Sequence, residues 1–183
     1  MEVKGAAFLY TLAGLMITFA GFSALLLSVR QAAGARLSQL DAFLAKTVMI
    51  HVFVLMAAAL LPMLFALYDL PEKTVWQASS VVFALPMLAL QVTYPQRRRK
   101  VVGQGPPIEI IAVFVVLGAL VTLAMLVWIL SGLPDSPAVY ITGLTADFLT
   151  VAFAFLTALK VIIEQPLEKP DRPGSRSRIK EKT

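Results

Sequence analysis

Few residues in this chain can do chemistry, and the first of them is Asp147. It stands in TGLTADFLTVAFAFLTALK (142–160), with no other formal charge until Lys160. A carboxylate in mid-helix costs about 2.5–3.5 kcal/mol to insert into lipid, so it must find partners or serve a ligand. On a helical wheel it shares a face with Gly143, Thr150, Ala154, Thr157 and Val161, while Leu149, Phe153 and Leu156 point the other way. The small, hydroxylated face is predicted to meet protein and the bulky face lipid. Helical rise brings Thr18, Ser80 and Thr122 to a similar depth on three other helices. The predicted site is therefore Asp147 with Thr150, Thr18, Ser80 and Thr122. It is either a neutral acid held by hydroxyls or a small polar cavity that binds a proton or cation.

His51 is the only histidine. Imidazole titrates near neutrality, which makes it a candidate pH-sensitive group. The plainer reading is a polar side chain hydrogen-bonded near the headgroups, about one turn from the cytoplasmic interface. One histidine and no cysteine exclude Cys/His metal centres, bis-histidine haem, disulfides and thiol chemistry within the chain. No metal and no cofactor is expected.

Catalytic constellations are poor. An aspartyl protease needs paired aspartates, but the Tyr-Asp pair Tyr68-Asp69 falls at the outer edge of a span and Asp147 lacks the usual Gly-x-Gly before it. Gly21–Ala24 (GFSA) offers a serine, but His51 is predicted in the other half of the membrane from Asp147. No catalytic residue is assigned, and the chain is not read as an enzyme.

What must position these groups is read from composition. Hydrophobic residues make up 58% of the 183 and charged ones only 15%, too few charges for a soluble domain of this size. The apolar residues gather in five runs, at about 8–29, 47–68, 74–94, 108–130 and 138–163. Each is long enough to cross a hydrocarbon layer roughly 30 Å thick, and none alternates as a barrel strand does. The predicted fold is an all-α, polytopic transmembrane bundle over 1–163, followed by a disordered basic cytoplasmic tail at 164–183. Ser38 with Asp41 three residues on is a capping-box pattern, starting the second helix ahead of its apolar run.

Charge gives the orientation. Lys4 and Lys73 are the only cations at the ends predicted to face outward, and the other Lys and Arg gather on the opposite side. The positive-inside rule then sets the N-terminus out and the C-terminus in, across a cytoplasmic, inner membrane. Arg97, Arg98, Arg99 and Lys100 are predicted to form a loop that touches anionic headgroups, at about 1 kcal/mol each. No aromatic residues interleave with them for base stacking, so no nucleic acid is expected.

Small residues mark where helices pack. Thr11, Gly14, Thr18, Gly21, Leu25 and Ser28 form one stripe on the first helix, and Gly143 lies on the stripe of Asp147. The first stripe is expected to pack within the chain's own bundle, or else to form a specific helix-pairing face or line a pore. Pro62 and Pro86 each deprive the carbonyl four residues earlier, at Ala58 and Val82, of its helical partner. Together these features predict a small interaction or assembly protein, joined to copies of itself or to another membrane protein. The alternative is an oligomeric proton- or cation-coupled transporter or channel that uses Asp147.

Overall fold

The computed structural model describes residues 3–32 and 38–164. The tail at 165–183, read from the sequence as disordered, lies outside them. Five helices carry the described chain: α1 (Ala6–Ala32), α2 (Gln39–Ala66), α3 (Glu72–Val102), α4 (Ile108–Leu130) and α5 (Ser136–Glu164). No strand occurs among the described residues. All five contain a stretch long and apolar enough to cross a membrane, so the chain is a multi-pass helical bundle.

Helix boundaries follow local chemistry. At the start of α2 the Asp41 amide donates to Ser38 Oγ (3.1 Å) and the Ser38 amide donates to Asp41 Oδ2 (3.0 Å). Two amides that an open helix end leaves orphaned are thereby bonded. α3 ends at Gly103, whose φ of 76° suits a residue without a Cβ and whose amide bonds the Arg99 carbonyl (3.0 Å). α4 contains a π-helical stretch, Ile111–Leu117, just before Gly118.

Helices α2, α3, α4 and α5 close into a ring, each packed on the next, and α1 leans on its outside against α2. The core inside is dominated by Trp76, Phe83, Met87, Leu55, Tyr140 and Leu144, all essentially inaccessible to solvent. Gly143 is a point of close approach between α4 and α5. A Cβ there would stand 2.7 Å from Met125 Sδ.

Two expectations need correction. The first is the stripe on α1. Thr11, Gly14, Thr18, Gly21, Leu25 and Ser28 are all exposed, and among the described residues a Cβ at Gly14 or Gly21 would meet nothing within 4 Å. The stripe does not pack within its own bundle. Leu9, Leu12, Met16 and Ser23, on the other side of α1, are the buried residues. The apolar side chains are large enough to win the contact with α2, and the glycines are turned away.

The second correction concerns the basic run. Arg97–Lys100 is no loop: α3 stays helical through Pro95 to Val102. Arg97 folds back along the helix and donates from Nη2 to the Leu90 carbonyl (2.7 Å). Cations in a last helical turn also suit the negative end of the helix dipole. Arg98 donates from Nη1 to the Gly105 carbonyl (2.6 Å), and only Arg99 and Lys100 of the four are exposed.

Candidate functional site

The polar cluster forms where α3, α4 and α5 meet. Asp147 is fully buried on the inner face of α5, with Gly143 and Thr150, while Leu149, Phe153 and Leu156 are exposed. Thr122 on α4 is 2.7 Å from Asp147 Oδ2, and Gln91 on α3 donates from Nε2 to Asp147 Oδ1 (3.2 Å). Both carboxyl oxygens are thus engaged by neighbouring helices. Among the described residues no ion pair reaches the carboxyl, although Arg97 extends as far as the residue before Gln91.

Proton counting constrains the cluster. Thr122 Oγ1 lies 3.0 Å from the Gly118 carbonyl as well as 2.7 Å from Asp147 Oδ2, and a hydroxyl has one proton to give. Both contacts are hydrogen bonds when Asp147 carries a proton on Oδ2 and donates it to Thr122, which then donates to Gly118. Thr150 donates to the backbone carbonyl of Asp147 (2.8 Å) and closes the lower side.

Of the predicted members, the structure brings together Asp147, Thr122 and Thr150. Thr18 and Ser80 are elsewhere. Thr18 is exposed on α1 and donates to the Gly14 carbonyl (3.0 Å). Ser80 is buried but donates to the Gln77 carbonyl (2.8 Å), three turns along α3 from Gln91. The depth estimate fails because it starts all helices at one plane and says nothing of rotation: Thr18 is turned outward on α1, and the residue of α3 that reaches Asp147 is Gln91.

Gln91 and Gly118 are the members that sequence reasoning missed. Gln91 had a signal: it is an amide inside a long apolar run, where an unpaired polar group is costly. Gly118 had none. It matters for what it lacks, because a Cβ there would lie 2.6 Å from Gln91 Nε2. The missing side chain makes room for the amide that holds Asp147.

His51 lies nearer the basic end, fully buried in the wall of a cavity of about 80 Å³ between α2, α3, α4 and α5. Its Nδ1 is 2.7 Å from the Thr47 carbonyl, and its ring stands 4.9 Å from that of Phe114. Val151, Tyr94 and Phe114 also line the cavity. They stand about one turn toward the basic end from Asp147, Gln91 and Gly118 respectively. The cavity roof is thus just beneath the polar cluster.

The remaining chemistry-bearing residues stay apart. Asp69 is exposed in the turn after α2, and Ser23 donates to the Phe19 carbonyl of its own helix (2.8 Å). Among the described residues no group of three His, Cys, Asp or Glu could hold a metal ion. No protein-family model matches the chain, and neither a curated protein nor a solved structure does.

Proposed function

We propose that this protein is a small assembly module of the cytoplasmic membrane that pairs with a second copy of itself through α1. The observation that carries this reading is the outward face of α1. It presents Gly14 and Gly21, with open space beyond each, directly opposite the side that packs on α2. Small residues on such a face let two helix backbones approach closely, which is what drives association where lipid offers no hydrophobic gain. Identical faces also satisfy the two-fold symmetry of a homodimer. The stripe hydroxyls of Thr11, Thr18 and Ser28 already donate to their own helix, so the face leaves no hydroxyl proton without an acceptor.

In this reading Asp147 is internal glue, its two oxygens consumed by Gln91 and Thr122. The chain sits with its N-terminus outside and C-terminus inside. The basic end carries Arg97–Lys100, and Arg99 and Lys100 meet anionic headgroups there. At the other end Lys4 and Lys73 line a groove together with Glu72 and Asp135, so cations there are matched by carboxylates.

The absence of cysteine makes the test simple. Thr18→Cys in reconstituted vesicles is expected to give disulfide-linked dimers on oxidation, and Leu15→Cys, on the flank of α1, is not. Cross-links that appear only in native membranes, to a different protein, would assign the face to another partner. Equal cross-linking at both positions, or none anywhere, would refute pairing through this stripe.

One observation favours a second reading, a proton- or cation-coupled transporter or channel. The cavity lined by His51 rises from the basic end to about one turn below Asp147, which is the direction a path to that carboxyl would take.

A further inference from the structure

The cavity beside His51 has a closed end and an open one. His51, Val48, Phe114 and Val151 line it and are buried, whereas Arg98 is half-buried and Pro107 exposed, so it opens toward the basic end of the bundle. Its walls are largely apolar, and no carboxylate lines it. On the scale where one water needs about 10–15 Å³, its roughly 80 Å³ exceeds what a packed core leaves by accident.

Two polar atoms of its lining residues are buried and have no partner among the described residues: His51 Nε2 and Arg98 Nε. Their demands are opposite. His51 is wholly inaccessible to solvent, and its Nδ1 faces the Thr47 carbonyl (2.7 Å), which can only accept. In the neutral ring Nδ1 therefore carries the proton and Nε2 is a bare acceptor. Arg98 donates from Nη1 to the Gly105 carbonyl (2.6 Å), which leaves its Nε–H a bare donor on a charged group. A buried polar atom left unpaired is costly, so each is a demand on whatever fills the space.

The two demands and the walls define an occupant by class. It carries an anionic acceptor for Arg98, a proton donor for His51 and an apolar portion for Leu44, Val48 and Ile110. An ammonium would be a poor donor here, because no carboxylate in the lining faces it; a hydroxyl needs none. The open side lies at the end of Arg99 and Lys100, which anionic headgroups meet in the orientation proposed above. Basic pockets between helices at that surface suit anionic lipid heads.

We infer that this cavity is a binding site for one anionic phospholipid whose head carries a free hydroxyl, a glycerol phosphodiester being the simplest. The phosphate accepts from Arg98 Nε, a head hydroxyl donates to His51 Nε2, and the glycerol carbons pack against Val48, Ile110 and Val151. Half-buried Leu40 and Leu44 meet the start of the chains. Such a head is a run of rotatable single bonds, so its chemistry selects it and no fixed spacing is required. The site does not involve the α1 pairing face, and binding in detergent does not depend on orientation, so this inference and the pairing can fail separately.

Native mass measurement of the purified full chain in a neutral detergent tests it, with an equimolar mixture of phosphatidylglycerol and phosphatidylmethanol. With matched chains the two lipids carry the same charge, and only the first has a head hydroxyl. Wild type is expected to bind phosphatidylglycerol, one per chain, about threefold to tenfold more tightly, one hydrogen bond's worth. His51→Phe keeps a ring and removes the acceptor, so it should erase that preference; His51→Gln, which keeps an acceptor, should retain part of it. Arg98→Gln should weaken both lipids about tenfold, and Arg99→Gln, at the exposed neighbouring cation, should weaken neither. The proposal is overturned if wild type binds neither lipid or both equally, or if the preference survives His51→Phe. It is also overturned if Arg99→Gln costs as much as Arg98→Gln, which would mark a general basic surface.

Discussion

The Tyr140 hydroxyl on α5 donates to the Ala58 carbonyl on α2 at 2.9 Å, and Ala58 is the residue whose carbonyl Pro62 deprives of its helical partner. A proline that breaks one hydrogen bond inside α2 is thus compensated from a facing helix, as backbone at membrane depth requires. The pair predicts non-additivity. Tyr140→Phe should destabilise the bundle by about 1–3 kcal/mol by stranding that carbonyl. In a Pro62→Ala background the restored amide serves Ala58, and Tyr140→Phe should then cost markedly less. Unfolding of the four proteins in a denaturing detergent series checks this, and equal costs in both backgrounds would dismiss the compensation.

Gly118 and Gln91 make a second coupled pair. Gly118→Ala places a Cβ 2.6 Å from Gln91 Nε2, so the amide must shift and its bond to Asp147 is expected to weaken or break. The expected loss is about 1 kcal/mol, the worth of one intramolecular hydrogen bond. In Gln91→Ala protein the space is already vacant, and Gly118→Ala should be close to neutral. A similar loss in both backgrounds would mean that Gly118 acts on the backbone of α4 and not on this contact.

Asp147 separates the two functional readings. Asp147→Asn keeps a hydrogen-bonding group, and the Gln91 Oε1, which has no partner among the described residues, can turn to meet the new amide. It should fold like the wild type. Asp147→Leu takes the acceptor from the Gln91 amide, while Thr122 keeps the Gly118 carbonyl, and should lower stability by about 1–3 kcal/mol. Infrared difference spectra of wild type against Asp147→Asn should show a protonated carboxyl at neutral pH, the state in which both Thr122 contacts are separate hydrogen bonds. Coupled ion flux in the wild type that Asp147→Asn abolishes would favour transport; unchanged assembly in Asp147→Asn favours the structural role.

Much of this was legible in the sequence, for particular reasons. Five apolar runs impose five helices because lipid leaves the backbone no other way to satisfy itself. The Asp147–Thr150 face was visible as a wheel pattern, and Thr122 could be matched to it by depth. Depth alone misled at Thr18 and Ser80, since it contains neither helix rotation nor the shift of α3 along its neighbours that brings Gln91 to Asp147. Rotation of α1 was also hidden. A stripe of small residues reads the same whether it faces its own bundle or away, and the choice depends on how Leu9, Leu12 and Met16 fit α2. Gly118 was invisible because its role is the shape of a different residue's side chain.

Topology rests on the distribution of cations. A reporter fused after Thr183 should be active only if it functions in the cytoplasm, and one inserted between Leu70 and Lys73 only outside it. The reverse pattern would overturn the orientation and exchange the two faces of the site.

The pairing of α1 is the claim on which the functional reading depends, and the mass of the assembled particle tests it most directly. Because nothing among the described residues stands near a Cβ at Gly14 or Gly21, Gly14→Leu and Gly21→Leu should leave the monomer fold and its thermal stability intact. Native mass measurement in mild detergent is predicted to find a dimer for the wild type and a monomer for the double variant. A wild type that stays monomeric at every concentration, or a dimer that survives both leucines, would contradict the account.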